Sequence, residues 1–286
     1  MGGASMQLTI QAPAKVNLLL KVLGRRPDGY HELATLMQPL DLADTLTVRL
    51  GEPGLRLSCD KPELSGENNL VIAAARAYYA ALGQEPAAAF ELIKRIPVAA
   101  GLGGGSSDAA AALLALNALH HGALEPQRLA ALAAGLGADV PFFLAGCTAW
   151  CTGIGERVEP WPDFPLLNLV LVNPRFALST AHVYQQFDFY WTNPPQTIRI
   201  KRPLRKTPSI EHLLVNDLEE VSLREHPILG QIKETLSKTG ARGCLMSGSG
   251  PTVFGVFADA AQAGKAAQSL RTQGRWWVRS CRGVRA

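Results

Sequence analysis

The chain is poor in cysteine, with five in 286 residues, an odd number without the paired spacing of a disulfide framework; a reducing compartment suits it better. Cys147 and Cys151 come closest to a metal pair. No second pair of Cys or His ligands lies near them, and small buried thiols in the apolar string CTAWC account for both, so no metal site is expected. Long apolar runs are missing too. The longest, residues 109–116, stops at Asn117, well short of the ~20 residues that span a bilayer. The start of the chain lacks a basic segment followed by an apolar core and a cleavage site, which leaves secretion unsupported and the cytoplasm as the expected location. MGGAS before Met6 reads as an expression scar or an alternative start and contributes nothing to the fold expectation. An overall basic surface is also missing. The net charge is +4, and Arg199, Lys201, Arg202, Arg205 and Lys206 alone supply five positive charges within eight residues. General nucleic-acid binding is disfavoured, and the basic stretch reads as a solvated loop able to touch an anion. Internal repeats and low-complexity tracts are absent.

What remains is a globular composition, 47% apolar and 18% charged, long enough for two ordinary cores. Three prolines in the string PWPDFP, residues 160–165, place a boundary between domains 1–160 and 161–286. In the first, residues 8–10, 16–22 and 46–50 alternate as strands do, and the turn Pro27, Asp28, Gly29 closes the second run. Residues 69–82 form an alanine-rich helix ended by Gly83, residues 90–94 another strand, and a long buried helix begins at Ser106, with two more helical pieces before Gly146. In the second, an apolar strand at 166–172 precedes a helix capped by Ser179 and running to Gln186, then helices over 209–239. Strands at 243–246 and 252–257, a helix capped by Asp259 and a last strand at 276–278 complete a ferredoxin-like split unit. Residues 189–208, with four prolines, form the one expected long loop, an exposed flap.

Between the strand at 90–94 and the long helix stands GLGGGSSD, residues 101–108. Unhindered backbone NH groups and a helix N-terminus converge there, while Ser106 and Ser107 add hydroxyls for phosphate or for Mg2+. It is not a Walker loop, since no Gly-Lys-Ser/Thr follows, nor a strict dinucleotide fingerprint, since Ser106 takes the third glycine position. On its own it reads equally as a flexible connector or as an anion cradle. Asp139 before Val140 and Pro141 reads as a helix cap, and the capping role alone would explain it. Lys15 lies in an apolar stretch, either solvated or desolvated with a partner. A serine hydrolase is unsupported, because Ser247 stands where a Gly-x-Ser-x-Gly elbow needs its first glycine. SGSGP, residues 247–251, reads as a tight turn between strands.

PAKVN at 13–17, IPVAAGLGGGSSDAA at 96–110 and CLMSGSGPTVFGVF at 244–257 resemble, in order, the three signature motifs of the GHMP small-molecule kinases. RPDGYHEL at 26–33 and GADVPFF at 137–143 resemble the branch whose acceptor is a cytidine-diphosphate-linked polyol. The resemblance implies a two-domain α+β fold with the active site between an N-terminal nucleotide-binding domain and a C-terminal ferredoxin-like domain. It implies phosphoryl transfer from ATP, with Mg2+, to a small-molecule alcohol, by a monomer or weak dimer that needs neither membrane nor nucleic acid. Asp139 matches the family's base and Lys15 its catalytic lysine. Pro97, Val98, Ala99, Ala100, Gly101, Leu102, Gly103, Gly104, Gly105, Ser106 and Ser107 match its ATP loop. Asn69 matches a position near adenine, where an N-cap is the plain alternative, and Lys94 is either a nucleotide contact or a solvated strand lysine. On the acceptor side stand Asn17, Tyr30, His31, Asp139, Thr180, Tyr184, Gly248, Ser249 and Gly250, with Tyr184 where phenylalanine also occurs in the family. Ordinary packing would explain Tyr30, His31 and Tyr184, and a structural role would explain Asn17. Other members acting on mevalonate, homoserine or a sugar, and a silent nucleotide-binding regulator on the same fold, are the alternatives.

Overall fold

The alternating runs at 8–10 and 16–22 are one strand, β1, Gln7–Arg25, in the computed structural model, which describes residues 6–51, 53–190 and 209–285. The turn at 27–29 leads into β2, His31–Leu50, of which sequence alternation marks only the end. The middle of β2 is buried on both faces, which erases the period-two signal there. There follow β3 (Gly54–Cys59), α1 (Leu70–Leu82), β4 (Ala87–Ile93), α2 (Gly104–Leu119), α3 (Pro126–Leu136), α4 (Val140–Leu144), β5 (Ala149–Gly153) and β6 (Arg157–Pro160). Then come β7 (Asn168–Asn173), α5 (Thr180–Tyr190), α6 (Ile210–Leu213), β8 (Val215–Asn216), α7 (Glu219–Glu225), α8 (Ile228–Lys238), β9 (Gly243–Met246), β10 (Val253–Phe257), α9 (Ala260–Thr272) and β11 (Trp277–Arg282). Helix α5 runs through Tyr190, so Phe189 is helical and does not open a loop. The rest of the expected flap, with Arg199, Lys201, Arg202, Arg205 and Lys206, lies outside the described residues, as does MGGAS.

Packing gathers the chain into two units, neither of them one continuous segment. The first holds the chain up to Ala14 together with Leu42–Pro97 and Gly103–Gly146; the second holds Lys15–Asp41, Val98–Leu102 and Cys147–Ala286. In the first, β4 lies between β3, parallel, and the later part of β2, antiparallel, with Thr45 opposite Ile93 and Leu50 opposite Ala88. Asn69 caps α1 by accepting from the Val71 amide, and Gly83 ends it at φ 65°, a left-handed conformation that favours glycine. Helix α1 packs on α2 and α3. The buried run 109–112 of α2 is all alanine, so neighbours approach its backbone closely.

In the second unit, β11, β7, β10 and β9 form an antiparallel sheet in that order. The first and third strands of the split unit sit in the middle, and both are continuous apolar strings because both of their faces are covered. Val183 and Phe187 of α5, Leu229, Ile232 and Leu236 of α8, and Ala263, Ala267 and Leu270 of α9 join them in one core. The helices expected over 209–239 are interrupted by β8, which pairs parallel with β1, Leu19 opposite Val215. Among the described residues no helix is long and apolar enough to cross a membrane.

Candidate active site

In the second unit, Lys15 lies on β1 in a stretch buried on both faces, and its ammonium donates to Asn17 Oδ1 at 2.6 Å. Asn17 Nδ2 donates to Thr35 Oγ1 at 2.9 Å, and that hydroxyl donates to Leu19 O at 2.7 Å. The solvated alternative for Lys15 is therefore wrong: only 4% of the residue is exposed. A cation in such a place acts on neighbouring charge with little screening. Asn17 positions the lysine, a role its place in an apolar strand does not reveal.

The SGSGP turn meets the first part of the glycine run within the same unit. Ser247 Oγ donates to Gly101 O at 2.9 Å and accepts from Asn17 N at 3.2 Å. A β-carbon on Gly101 would lie 2.1 Å from Ser247 O, and the residue has φ 76°, so glycine is required here by another loop's backbone as well as by its own dihedral. Gly248 stands against the lysine, since a β-carbon there would lie 3.4 Å from Lys15 Nζ and 3.2 Å from Asn17 Oδ1. Asn216, which the sequence reading passes over, clamps this turn. Its Nδ2 donates to Met246 O and Gly248 O, both at 2.8 Å, and its Oδ1 accepts from Leu218 N at 3.0 Å. The signal was a polar Asn-Asp pair breaking a helical stretch. Ser249 Oγ and Thr180 Oγ1 are hydrogen-bonded at 2.9 Å, which joins the turn to the start of α5.

Four residues after Thr180, Tyr184 stacks on His31 with ring centroids 4.9 Å apart and planes at 23°. His31 is buried, its Nε2 is 2.7 Å from Asp188 Oδ1, and Phe187 meets its ring edge-on at 6.3 Å. Tyr30 beside it is 61% exposed, on a turn where Asp28 accepts from the Tyr30 amide and is held by Arg26. An exposed aromatic is no core residue, so ordinary packing does not explain Tyr30.

In the first unit, Gly103 at φ 70° is the N-cap of α2, and Ser107 N donates to Gly103 O. Lys94 is neither solvated nor in the strand: just past β4, its ammonium is buried between Asp44 and Asp108, 2.6 Å from Asp108 Oδ2. Asp44 also accepts from the amides of Arg95 and Ile96. One ion cluster thus holds the chain before the glycine run and the helix after it. Among the described residues, Ser107 Oγ and Asp108 Oδ1, both buried, have no hydrogen-bond partner. Burial pushes the Asp108 carboxyl up to about 7, against the pull of Lys94 and with the push of Asp44. A carboxyl raised above its unfolded value stabilises the fold while protonated, and that contribution is lost as pH rises through about 7. The melting temperature of Asp108→Asn, measured against the parent, should therefore improve from about pH 5 to about pH 8. A difference that does not change with pH contradicts this.

Asp139 occupies the N-cap position of α4, with Pro141 in the first turn, yet its side chain makes no capping hydrogen bond. Helix capping, the plain reading of this aspartate, does not account for it.

The chain matches the family models GHMP kinases N terminal domain over residues 69–147 and GHMP kinases C terminal over residues 204–275. It is 46% identical over 279 residues to 4-diphosphocytidyl-2-C-methyl-D-erythritol kinase of Geobacter metallireducens, covering 97% of this chain and 99% of that protein. A crystal structure of 4-(cytidine 5'-diphospho)-2C-methyl-D-erythritol kinase superposes with a TM-score of 0.79 at 40% identity, over 96% of this chain and 99% of that one. The homoserine kinase of Cytophaga hutchinsonii shares the fold, with a TM-score of 0.73 at 20% identity over 99% of this chain and 97% of that one.

Proposed function

The chain belongs to the GHMP kinases, and from that premise we propose that it transfers the γ-phosphoryl group of ATP to the 2-hydroxyl of 4-diphosphocytidyl-2-C-methyl-D-erythritol, in the non-mevalonate route to isoprenoid precursors. The near-full-length identity to kinases of that acceptor carries the choice of substrate. In this reading residues 1–160 form the ATP-binding domain and 161–286 the acceptor-side domain of a cytoplasmic enzyme.

Asp139 accepts the proton of the 2-hydroxyl as its oxygen bonds to the γ-phosphorus and the bond from that phosphorus to ADP breaks. Support comes from a carboxylate left out of helix capping. Lys15 stabilises the developing alkoxide and the transferring charge, and its burial makes that interaction strong. Residues 97–107 hold the ATP phosphates, with Asn69 and Lys94 toward the nucleotide. Lys94, tied to two carboxylates, acts from beneath the loop. Mg2+ would neutralise phosphate charge there, and the orphaned Ser107 hydroxyl is a fitting group for the ion or for a phosphate oxygen. Asn17, Gly248, Ser249, Gly250 and Thr180 border the acceptor, while Tyr30, His31 and Tyr184 take its cytosine.

ADP release measured against a panel of the cytidyl polyol, mevalonate, homoserine and galactose tests the proposal. Turnover of the first alone is expected. Turnover confined to one of the others overturns the choice of acceptor.

A further inference from the structure

We infer that Asp188 fixes which ring nitrogen of His31 carries the proton, and that this makes His31 a hydrogen-bond acceptor selecting a pyrimidine with an amino group at C4 over one with a carbonyl. The inference rests on the cytidyl reading above and adds to it a residue, Asp188, that no motif marks.

The stack on Tyr184 and the edge contact with Phe187 hold the plane of the His31 ring. Within that plane the ring has two orientations, related by a half-turn about the Cβ–Cγ bond that exchanges each nitrogen with a ring carbon. Asp188 Oδ1, 2.7 Å from Nε2, selects one of them. An ionised carboxylate only accepts hydrogen bonds, so Nε2 is the protonated nitrogen and, in the neutral ring, Nδ1 keeps its lone pair. Arg25 Nη1 lies 3.7 Å from the other carboxylate oxygen, Asp188 Oδ2. Nδ1 has no hydrogen-bond partner among the described residues. Cytosine offers it an N–H from the C4 amino group. Uracil presents a C4 carbonyl there, lone pair against lone pair. Asp188 itself is a positioning residue: it acts on the base through His31.

The test uses the full-length chain and its Asp188→Asn and Asp188→Glu variants. An amide can accept from Nε2–H or donate to a bare Nε2, so Asn releases the tautomer, whereas Glu retains a carboxylate. Ring 15N chemical shifts should show a bare Nδ1 and a protonated Nε2 in the parent, and a mixture of tautomers in Asp188→Asn. The preference for cytidyl over uridyl acceptor in kcat/KM, and for CDP over UDP in Kd, should fall about tenfold or more in Asp188→Asn and recover in part in Asp188→Glu. The KM for ATP and the melting temperature should hold, which a merely structural role for Asp188 would not allow. A protonated Nδ1 in the parent, or a CDP preference unchanged in Asp188→Asn, overturns the inference. A parent that turns over neither acceptor overturns the cytidyl reading, while the ring shifts and the CDP and UDP affinities still decide the role of Asp188.

Discussion

Asp139→Asn is expected to lower kcat by ~10²–10⁴-fold, the range that loss of a general base spans, with the KM for ATP little changed. The substitution keeps the shape of the side chain and removes its capacity to take a proton. Ordinarily an aspartate before a short helix is hard to test in this way, because a lost cap costs ~1 kcal/mol of stability and mimics a functional defect. Here the carboxylate makes no capping bond to α4. The loss of turnover therefore cannot be put down to a lost helix cap, and circular dichroism should show α4-containing folded protein while turnover collapses. A variant that keeps turnover within about threefold, properly folded, removes Asp139 from the role of base.

Lys15→Met is expected to cost ~10²–10³-fold in kcat, comparable to removing a preorganised donor from a transition state. It also carries a stability signature. Asn17 Oδ1 loses its 2.6 Å donor in a buried place, and an orphaned acceptor there costs about 1–3 kcal/mol. Adding Asn17→Leu removes the orphan, so Lys15→Met/Asn17→Leu should regain part of the lost melting temperature and none of the activity. Lys15→Arg should not rescue turnover: a guanidinium is bulkier and planar, and it would have to fit a buried place shaped to an ammonium, with Asn17 Oδ1 at 2.6 Å. Wild-type rates in Lys15→Met would leave the lysine a structural role only.

What could be read along the chain followed how far apart the interacting residues are. Asn69 and Gly83 bracket α1 by local chemistry, so that helix was visible with its ends. The order of the ferredoxin-like strands follows from turn and cap residues in the same way. Lys94 resembled a solvated strand lysine because its partners lie 50 and 14 residues away, and nothing local announces them. Asp188 is 157 residues from His31. Strand β2 was legible only where one face is less covered, since burial on both sides removes alternation. The glycine run was legible as a turn-rich loop before a helix, but the need for glycine at 101 arises from Ser247, on a segment no spacing rule connects to it. Asn216 was hidden for a related reason: its work is to hold two carbonyls of a turn about thirty residues later.

The most direct measurement of the central claim is the identity of the product. With ATP and 4-diphosphocytidyl-2-C-methyl-D-erythritol, 31P NMR should show one new phosphomonoester resonance, with the cytidyl diphosphate signals intact, and carbon–phosphorus coupling should place the ester at C2. Phosphate on a different oxygen, cleavage of the diphosphate, or ADP formed without any new ester would contradict phosphoryl transfer to the 2-hydroxyl.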